Sequence, residues 1–239
     1  MNSAGTETVQ IRVDASHGVD GLFMSAPESI ACLVLAHGAG AGMQHASMAS
    51  VADDLRAMGI ATLRYQFPYM QRGSRRTDPP ALCHATVRAA VATAIELAPS
   101  LPLIAGGRSF GGRMTSQAQA LEALPLVRGL AFLAFPLHPA GKPSIERAEH
   151  LSNVSIPMLF IQGTDDDLAS LDLLQPVIDR LGSRATLKLL QNADHAFHVP
   201  VRSGRNDAEV RHEALAALVE WASSLLLPAD DSANHATRK

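Results

Sequence analysis

The sequence predicts one α/β domain, with a mostly parallel sheet covered by helices on both faces. Three observations support this. Short apolar runs alternate with longer segments of helical periodicity along the chain. The run at 31–36 is apolar at every position, which is typical of a parallel strand buried on both faces. The chain has 239 residues, of which 47% are hydrophobic and 18% charged, so it can build a packed core within one domain.

Each element follows from a local pattern. Segments 8–13 and 19–25 are predicted strands, and the turn residues at 16–18 join them as a hairpin. The spacing of Met48, Val51 and Leu55 predicts a helix over 45–58, which Gly59 ends. The other predicted strands are 31–36, 60–67, 101–106, 127–137, 157–162 and 185–190, and the other predicted helices are 81–97, 110–124, 171–181 and 207–227.

The remaining segments are predicted loops and a tail. A polar loop is expected over 68–80 and an irregular one over 138–155, which is too short for a helical cap domain. We expect one domain over 1–228, followed by a polar tail over 229–239. The site of such a domain should therefore be open to solvent.

Composition excludes several classes of function. The formal charge is −3, without a long block of one sign, so neither nucleic acid nor an anionic membrane is an expected partner. Cys32 and Cys83 do not make a disulfide framework, and no stretch is apolar enough for a leader or a membrane span. We expect a soluble, cytoplasmic protein. No cofactor or metal is implied, and the sequence carries no signal of an oligomeric state.

The strongest chemical signal is the sequence G-R-S-F-G at 107–111. It follows an apolar strand and opens a helix, which is the strand–turn–helix setting of a nucleophile elbow. The turn is so tight that the residues two before and two after the serine, Gly107 and Gly111, must lack a side chain. The pattern predicts Ser109 as a nucleophile; the alternative is a glycine-rich turn that a serine happens to cap.

A second signal, H-G-A-G at 37–40, follows the strand 31–36. Small residues let backbone N–H groups approach a tetrahedral intermediate, so we expect the N–H groups of Ala39 and Phe110 to form an oxyanion hole. His37 is expected to orient this loop rather than carry protons. Binding of a phosphate is the rival interpretation, but neither a following lysine nor a G-x-G-x-x-G pattern is present.

A third signal, G-T-D-D-D at 163–167, follows the strand 157–162. A carboxylate here would hold the catalytic histidine in one tautomer. Asp166 is the first choice and Asp165 the fallback, because a G-x-x-D spacing selects the former. There are two other interpretations of this segment: a turn that caps the next helix, and a site for a divalent metal ion.

The fourth signal is D-H-A-F-H at 194–198, in the loop after the strand 185–190. A histidine is needed to deprotonate Ser109 and then to protonate the leaving group. His195 is the first choice and His198 its competitor. The resulting chain order of serine, aspartate and histidine is that of the α/β-hydrolase fold, in which all four loops meet at one sheet edge.

These segments together resemble a known family. They are H-G-A-G at 37–40, R-Y-Q-F-P-Y-M at 64–70, G-R-S-F-G-G-R at 107–113, F-I-Q-G-T at 160–164 and D-H at 194–195. They resemble the testis-expressed protein 30 group, which includes the hydrolase-like subunit of a histone acetyltransferase regulatory complex, with a broader kinship to dienelactone-hydrolase-like proteins. Dienelactone hydrolases use a cysteine nucleophile, whereas this chain has Ser109, so the resemblance implies generic ester chemistry.

The sequence therefore predicts a serine hydrolase that cleaves an acyl bond of a small molecule through Ser109, Asp166 and His195. Two alternatives stay open. The same triad serves thioesterases, amidases and peptidases. Some relatives in the family look like scaffold subunits, which implies a binding module without catalysis.

Overall fold

One mixed sheet forms the centre of the protein. The computed structural model describes residues 5–26 and 28–226. Within them the strands are β1 (Thr6–Arg12), β2 (Gly18–Met24), β3 (Ala31–Ala36), β4 (Ile60–Tyr65), β5 (Leu103–Arg108), β6 (Val127–Leu133), β7 (Met158–Gly163) and β8 (Ala185–Leu190). The helices are α1 (Ala46–Ala57), α2 (Pro68–Gln71), α3 (Pro80–Leu97), α4 (Phe110–Leu121), α5 (Leu171–Leu181) and α6 (Asp207–Leu226).

The strand order places a crevice at the centre of the sheet. Its order is β1-β2-β4-β3-β5-β6-β7-β8, and only β1 with β2 and β2 with β4 pair antiparallel. The expected hairpin and the mostly parallel sheet are thus confirmed. The chain runs outward from β3 to β4 and then returns to β5 on the other side of β3. Ligands of open α/β sheets bind at such a reversal, beyond the carboxyl ends of the strands.

Helices cover both faces of the sheet. Strand β3 is buried at every position, and Cys32 and Val34 pack into one core whereas Leu33 and Leu35 pack into the other. The first core includes buried residues of α3, α4 and α5, and the second includes those of α1 and α6. A strand that faces apolar helices on both sides needs no polar position, which explains why its sequence is apolar throughout.

Several predictions were wrong at the edge of the sheet that carries the loops, where the strand predicted over 60–67 also ends earlier, at Tyr65. Strand β6 ends at Leu133 rather than at 137, because Ala134 adopts a φ of 60° that a strand cannot accommodate. The predicted loop 68–80 contains the short helix α2, whose first residue is Pro68. Strand β5 extends through Gly107 to Arg108 rather than ending at 106, so it delivers the chain directly to Ser109.

The segment between β6 and β7 does not form a cap. It contains a 3₁₀ helix, Glu146–Asn153, whose Leu151 is fully buried in the core beside α4. Among the described residues nothing else is inserted there. The expected boundary at 228 and the tail 229–239 lie outside the described residues. Across residues 5–26 and 28–226, every helix is too short or too polar to cross a bilayer.

Candidate active site

Ser109 lies in a strained turn between β5 and α4. Its backbone has φ 50° and ψ −117°, a conformation that costs a non-glycine residue about 1–3 kcal/mol. The Ser109 N–H donates to the carbonyl of Leu133 at 3.0 Å, which ties the turn to the neighbouring strand. The surrounding structure therefore holds a conformation that aims the serine side chain out of the sheet edge.

The two motif glycines make this turn possible by their lack of a side chain. A Cβ at Gly107 would lie 2.6 Å from the carbonyl oxygen of Ala36 and 2.9 Å from the carbonyl carbon of Gly111. A Cβ at Gly111 would lie 2.5 Å from the carbonyl oxygen of His37. All three distances are well below van der Waals contact, so the strand and the helix could not approach this closely with any other residue at these two positions.

Gly111→Ala is expected to destabilise the protein by about 1–3 kcal/mol or more, since the added methyl group must displace backbone atoms of β3. The free energy of unfolding in urea measures this. Gly40→Ala is the matched control, because nothing lies within 4 Å of a Cβ at Gly40. Equal stability of the two variants would contradict the close packing of the turn.

His195 connects the serine to a carboxylate. Its Nε2 lies 2.8 Å from Ser109 Oγ, and its Nδ1 lies 2.7 Å from Asp166 Oδ2. Since an ionised carboxylate only accepts, Nδ1 carries the proton and Nε2 accepts from the serine hydroxyl. This tautomer is the one that can remove the proton from Ser109.

Asp166 is held as an acceptor by three N–H donors. It is buried; the N–H of Leu168 donates to its Oδ1 at 2.8 Å, and the amide of Gln162 and Nδ1 of His195 both donate to its Oδ2. Asp165 is exposed and accepts from the hydroxyl of Thr164 instead. The structure thus brings Asp166, and not the fallback residue, against the histidine.

The competing histidine lies on the surface. Nδ1 of His198 pairs with Asp207 at 2.8 Å, and both side chains are more than half exposed. This contact raises the pKa of His198, chiefly through the hydrogen bond to Asp207. His198 makes no contact with Ser109, so the structure brings only His195 to the serine.

The loop after β3 lies beside Ser109. A Cβ at Gly38 would lie 3.9 Å from the Cβ of Ser109. His37 is buried, and its Nδ1–H donates to the carbonyl of Gly38 at 2.7 Å while its Nε2 accepts from the N–H of Phe67 at 3.0 Å. The hydroxyl of Tyr69 donates to the carbonyl of Ala39 at 3.0 Å. These contacts fix both peptide groups that flank Ala39.

Two backbone N–H groups at this position are free to bind a ligand. Neither the N–H of Ala39 nor that of Phe110 donates a hydrogen bond to any residue within 5–26 and 28–226. The Gly38 carbonyl points towards the His37 ring, which donates to it. The N–H of Ala39 belongs to the same trans peptide and therefore points away from His37. Phe110 begins α4, where the helix dipole also favours negative charge.

Burial lowers the pKa of His37 to about 4, against about 6.5 for an exposed histidine. The unfolded chain therefore binds one more proton than the folded protein between these pH values. The stability that neutral His37 provides is complete above about pH 6.5 and is lost as the pH falls towards 4. His150, whose pKa is also lowered to about 4, acts in the same direction.

Lowering the pH from about 7 to about 4.5 should reduce the free energy of unfolding of both the wild type and His37→Gln. The reduction should be about 1–3 kcal/mol smaller for His37→Gln than for the wild type, because glutamine does not titrate. Urea unfolding of both proteins at the two pH values measures the difference. His150 is present in both, so its contribution cancels. Parallel losses in the two proteins would show that His37 is not buried in its neutral form.

A cleft opens over the serine. It has a volume of about 310 Å³ and is lined by the loop after β3, by the start of α1 and by the loop after β8 that contains His195, hereafter the histidine loop. The predicted site residues Ser109, His195 and Ala39 all line this cleft. The sequence analysis assigned no role to Arg108, which lies inside the motif and also lines the cleft, or to Gln162, which donates to Asp166. The lining residues are Gly38, Ala39, Gly40, Ala41, His45, Ser47, Met48, Arg108, Ser109, His195 and Ala196.

The metal interpretation of the acidic loop finds no partner residues in the structure. Within 5–26 and 28–226, no three histidine, cysteine or acidic side chains are grouped so as to hold a metal ion. Asp166 is buried under His195, whereas Asp165 and Asp167 are exposed. The three consecutive aspartates therefore do not converge on one point.

Comparison with known proteins identifies the family. The model of the alpha/beta hydrolase domain matches residues 29–223, which is most of the chain. The chain belongs to the α/β-hydrolase family. A similar solved structure is a lidless α/β serine hydrolase from Xanthomonas campestris, with a TM-score of 0.70 and 19% identity over 96% of this chain and 98% of that one.

Two further α/β-hydrolase structures have the same architecture. An alpha-beta serine hydrolase homologue from Coxiella burnetii has a TM-score of 0.69 and 17% identity, over 95% of this chain and all of the other. A dienelactone hydrolase from Anabaena variabilis has a TM-score of 0.69 and 20% identity, over 92% of this chain and 95% of that one. At these identities the likeness establishes the fold.

Proposed function

We propose that this α/β hydrolase is a serine hydrolase that cleaves carboxylic esters through a covalent acyl-enzyme. One observation carries the proposal. Hydrogen bonds connect Ser109 through His195 to Asp166, and Ser109 lies in an open cleft beside two backbone N–H groups that make no hydrogen bond within the described residues. We also infer that the nearer kin are the testis-expressed protein 30 group and that the protein is cytoplasmic.

In the first step Ser109 Oγ attacks the ester carbonyl while its proton passes to Nε2 of His195. The N–H groups of Ala39 and Phe110 hold the negative oxygen of the tetrahedral intermediate. Asp166 stabilises the imidazolium without taking its proton. The C–O bond of the ester then breaks, and Nε2 returns the proton to the departing alcohol oxygen.

In the second step water replaces the alcohol. His195 removes a proton from water, whose oxygen attacks the acyl carbon of the acyl-enzyme. The second tetrahedral intermediate collapses, and Ser109 Oγ leaves with the proton from Nε2. The acid product departs and the free enzyme is restored, so the cycle requires no cofactor.

The open cleft supports small or exposed substrates. The segment between β6 and β7 packs against the core through Leu151 and does not cover Ser109. No described element separates the serine from solvent. The same triad serves esters, thioesters and amides, and a panel of esters, thioesters and anilides distinguishes these classes.

A fluorescent fluorophosphonate is expected to label the wild type, because only an activated serine attacks phosphorus rapidly. Ser109→Ala and His195→Ala should abolish labelling, and His198→Ala should retain it, since His198 pairs with Asp207 on the surface. Labelled bands on a gel, read over time, provide the measurement. A folded wild-type protein that stays unlabelled would instead indicate a hydrolase fold used as a binding module.

A further inference from the structure

Arg108 is the cationic side chain next to the proposed nucleophile. Its Nη2 donates to the carbonyl of His195 at 3.0 Å, and its guanidinium carbon lies 5.2 Å from the centre of the Phe197 ring. The side chain therefore crosses from the nucleophile turn to the histidine loop. A positive charge therefore lies against the backbone of the loop that carries His195.

Arg108 forms no direct ion pair with any carboxylate of the described residues. Burial lowers its pKa, and the carboxylates of Asp194 and Asp166 favour its charged form from farther away. Within the described ranges no carboxylate lies within 4.0 Å of the guanidinium, and the bond to His195 is the only hydrogen bond it makes. Arg72 and Arg211, in contrast, are each paired with an aspartate at 2.5–2.7 Å. Partial burial of an unpaired charge is costly unless a ligand completes it.

Arg108 lies beside the cleft that opens over Ser109. Arg108 lines the cavity of about 310 Å³ that contains Ser109, and it also lines an adjoining cavity of about 150 Å³. The two cavities share Ser47, Arg108 and Ala196, so Arg108 stands where they meet. A substrate whose carbonyl lies at Ser109 would reach this junction within a few bonds.

We propose that Arg108 binds a carboxylate of the substrate, so that the preferred ester carries a negative charge a few bonds from its scissile carbonyl. A guanidinium presents paired N–H donors that match the two oxygens of a carboxylate. The inference rests on the proposed function, because it assigns a substrate class to the same cleft.

The smaller cavity is less suited to the anion itself. Asp207 and Arg211 both lie on its wall. Arg211 is already paired with Asp54 at 2.7 Å, and the oxygens of Asp207 accept from the N–H of Val199 and from His198. A second carboxylate beside Asp207 would be repelled. The anion is therefore placed on the Arg108 side of the junction, within the cavity that contains Ser109.

The test compares two aryl esters of equal chain length, 4-nitrophenyl hexanoate and the mono-4-nitrophenyl ester of adipic acid. Wild type should hydrolyse the adipate ester with the higher kcat/KM. Arg108→Met should lower kcat/KM for the adipate ester by about 10- to 100-fold more than for the hexanoate ester, chiefly through KM. Arg108→Lys, which keeps the charge but loses the planar fork, should retain part of the preference.

Arg202→Met is the matched control, because it removes one positive charge from an exposed side chain outside both cavities. It should leave the ratio of the two esters unchanged. Equal losses on both esters in Arg108→Met would overturn the proposal and leave Arg108 as a tether of the histidine loop. A wild type that prefers the hexanoate ester would overturn it as well.

A binding measurement separates this inference from the proposed function. Ser109→Ala should bind monomethyl adipate in calorimetry, more tightly than methyl hexanoate, and the double variant with Arg108→Met should lose that difference. If neither aryl ester is hydrolysed, the proposed function fails, whereas Arg108-dependent binding of the half ester would still support the anion site. Absence of such binding would refute the site whatever the activity.

Discussion

Ser109→Ala is expected to lower kcat/KM for a small aryl ester by about 10⁴- to 10⁶-fold. The acyl-enzyme cannot form without the hydroxyl that lies 2.8 Å from Nε2 of His195. The remaining rate would come from direct attack of water on the ester, with the N–H groups of Ala39 and Phe110 stabilising the negative oxygen that forms. Initial rates of 4-nitrophenol release, with the uncatalysed rate subtracted, measure the loss.

Ser116→Ala is the matched control for this experiment. Ser116 lies on α4, within 2.8 Å of Nε2 of His150, so it also forms a serine–histidine pair. The pair has no carboxylate within ion-pair distance in the described residues and does not line the cleft. Its loss should leave kcat unchanged. Full activity of Ser109→Ala would show that another group is the nucleophile.

The strained backbone at Ser109 allows loss of activity to be distinguished from loss of folding in urea unfolding experiments. Alanine has the same Cβ as serine and keeps the cost of a φ of 50°, so Ser109→Ala should unfold at nearly the same urea concentration as the wild type. Ser109→Gly also lacks the nucleophile, but glycine adopts a positive φ without strain. The midpoint of unfolding should therefore be higher for Ser109→Gly than for Ser109→Ala.

The sequence sufficed for those parts of the site that local patterns encode. Each predicted site loop follows a strand of the sheet, and parallel strands bring their carboxyl ends to one edge. That rule alone brings the loops containing Ser109, Asp166 and His195 together. Choosing Asp166 over Asp165 needed a known spacing, because only the fold shows which of the two is buried under His195.

The features that the sequence missed depend on contacts between distant segments. Strand β5 was expected to end at Gly106, yet it continues through Gly107 to Arg108. Gly107 pairs with Ala36 of β3, and the lack of a side chain permits this close approach, because a Cβ at Gly107 would lie 2.6 Å from the carbonyl oxygen of Ala36. Arg108 resembles any polar residue inside a motif until the fold places the carbonyl of His195 next to it, 87 positions along the chain. Neither fact has a local signature.

Asp166→Asn is expected to lower kcat by about 10⁴-fold, although it changes a single atom. Every hydrogen bond to Asp166 comes from an N–H donor: Leu168 at Oδ1, and Gln162 and His195 at Oδ2. An amide nitrogen on the histidine side would donate to Nδ1 and force the proton to Nε2, where it blocks acceptance from Ser109. Steady-state kinetics on the same aryl ester measure the loss.

The new amide at position 166 could also turn so that its oxygen faces His195. Its NH₂ group would then face the N–H of Leu168, and two donors cannot form a hydrogen bond. That contact should destabilise the protein by about 1–3 kcal/mol, measured by urea unfolding. Asp165→Asn makes the same chemical change on the neighbouring, exposed carboxylate and should leave both kcat and stability near those of the wild type. A comparable loss of kcat in Asp165→Asn would contradict the assignment, because that side chain contacts Thr164 and not His195.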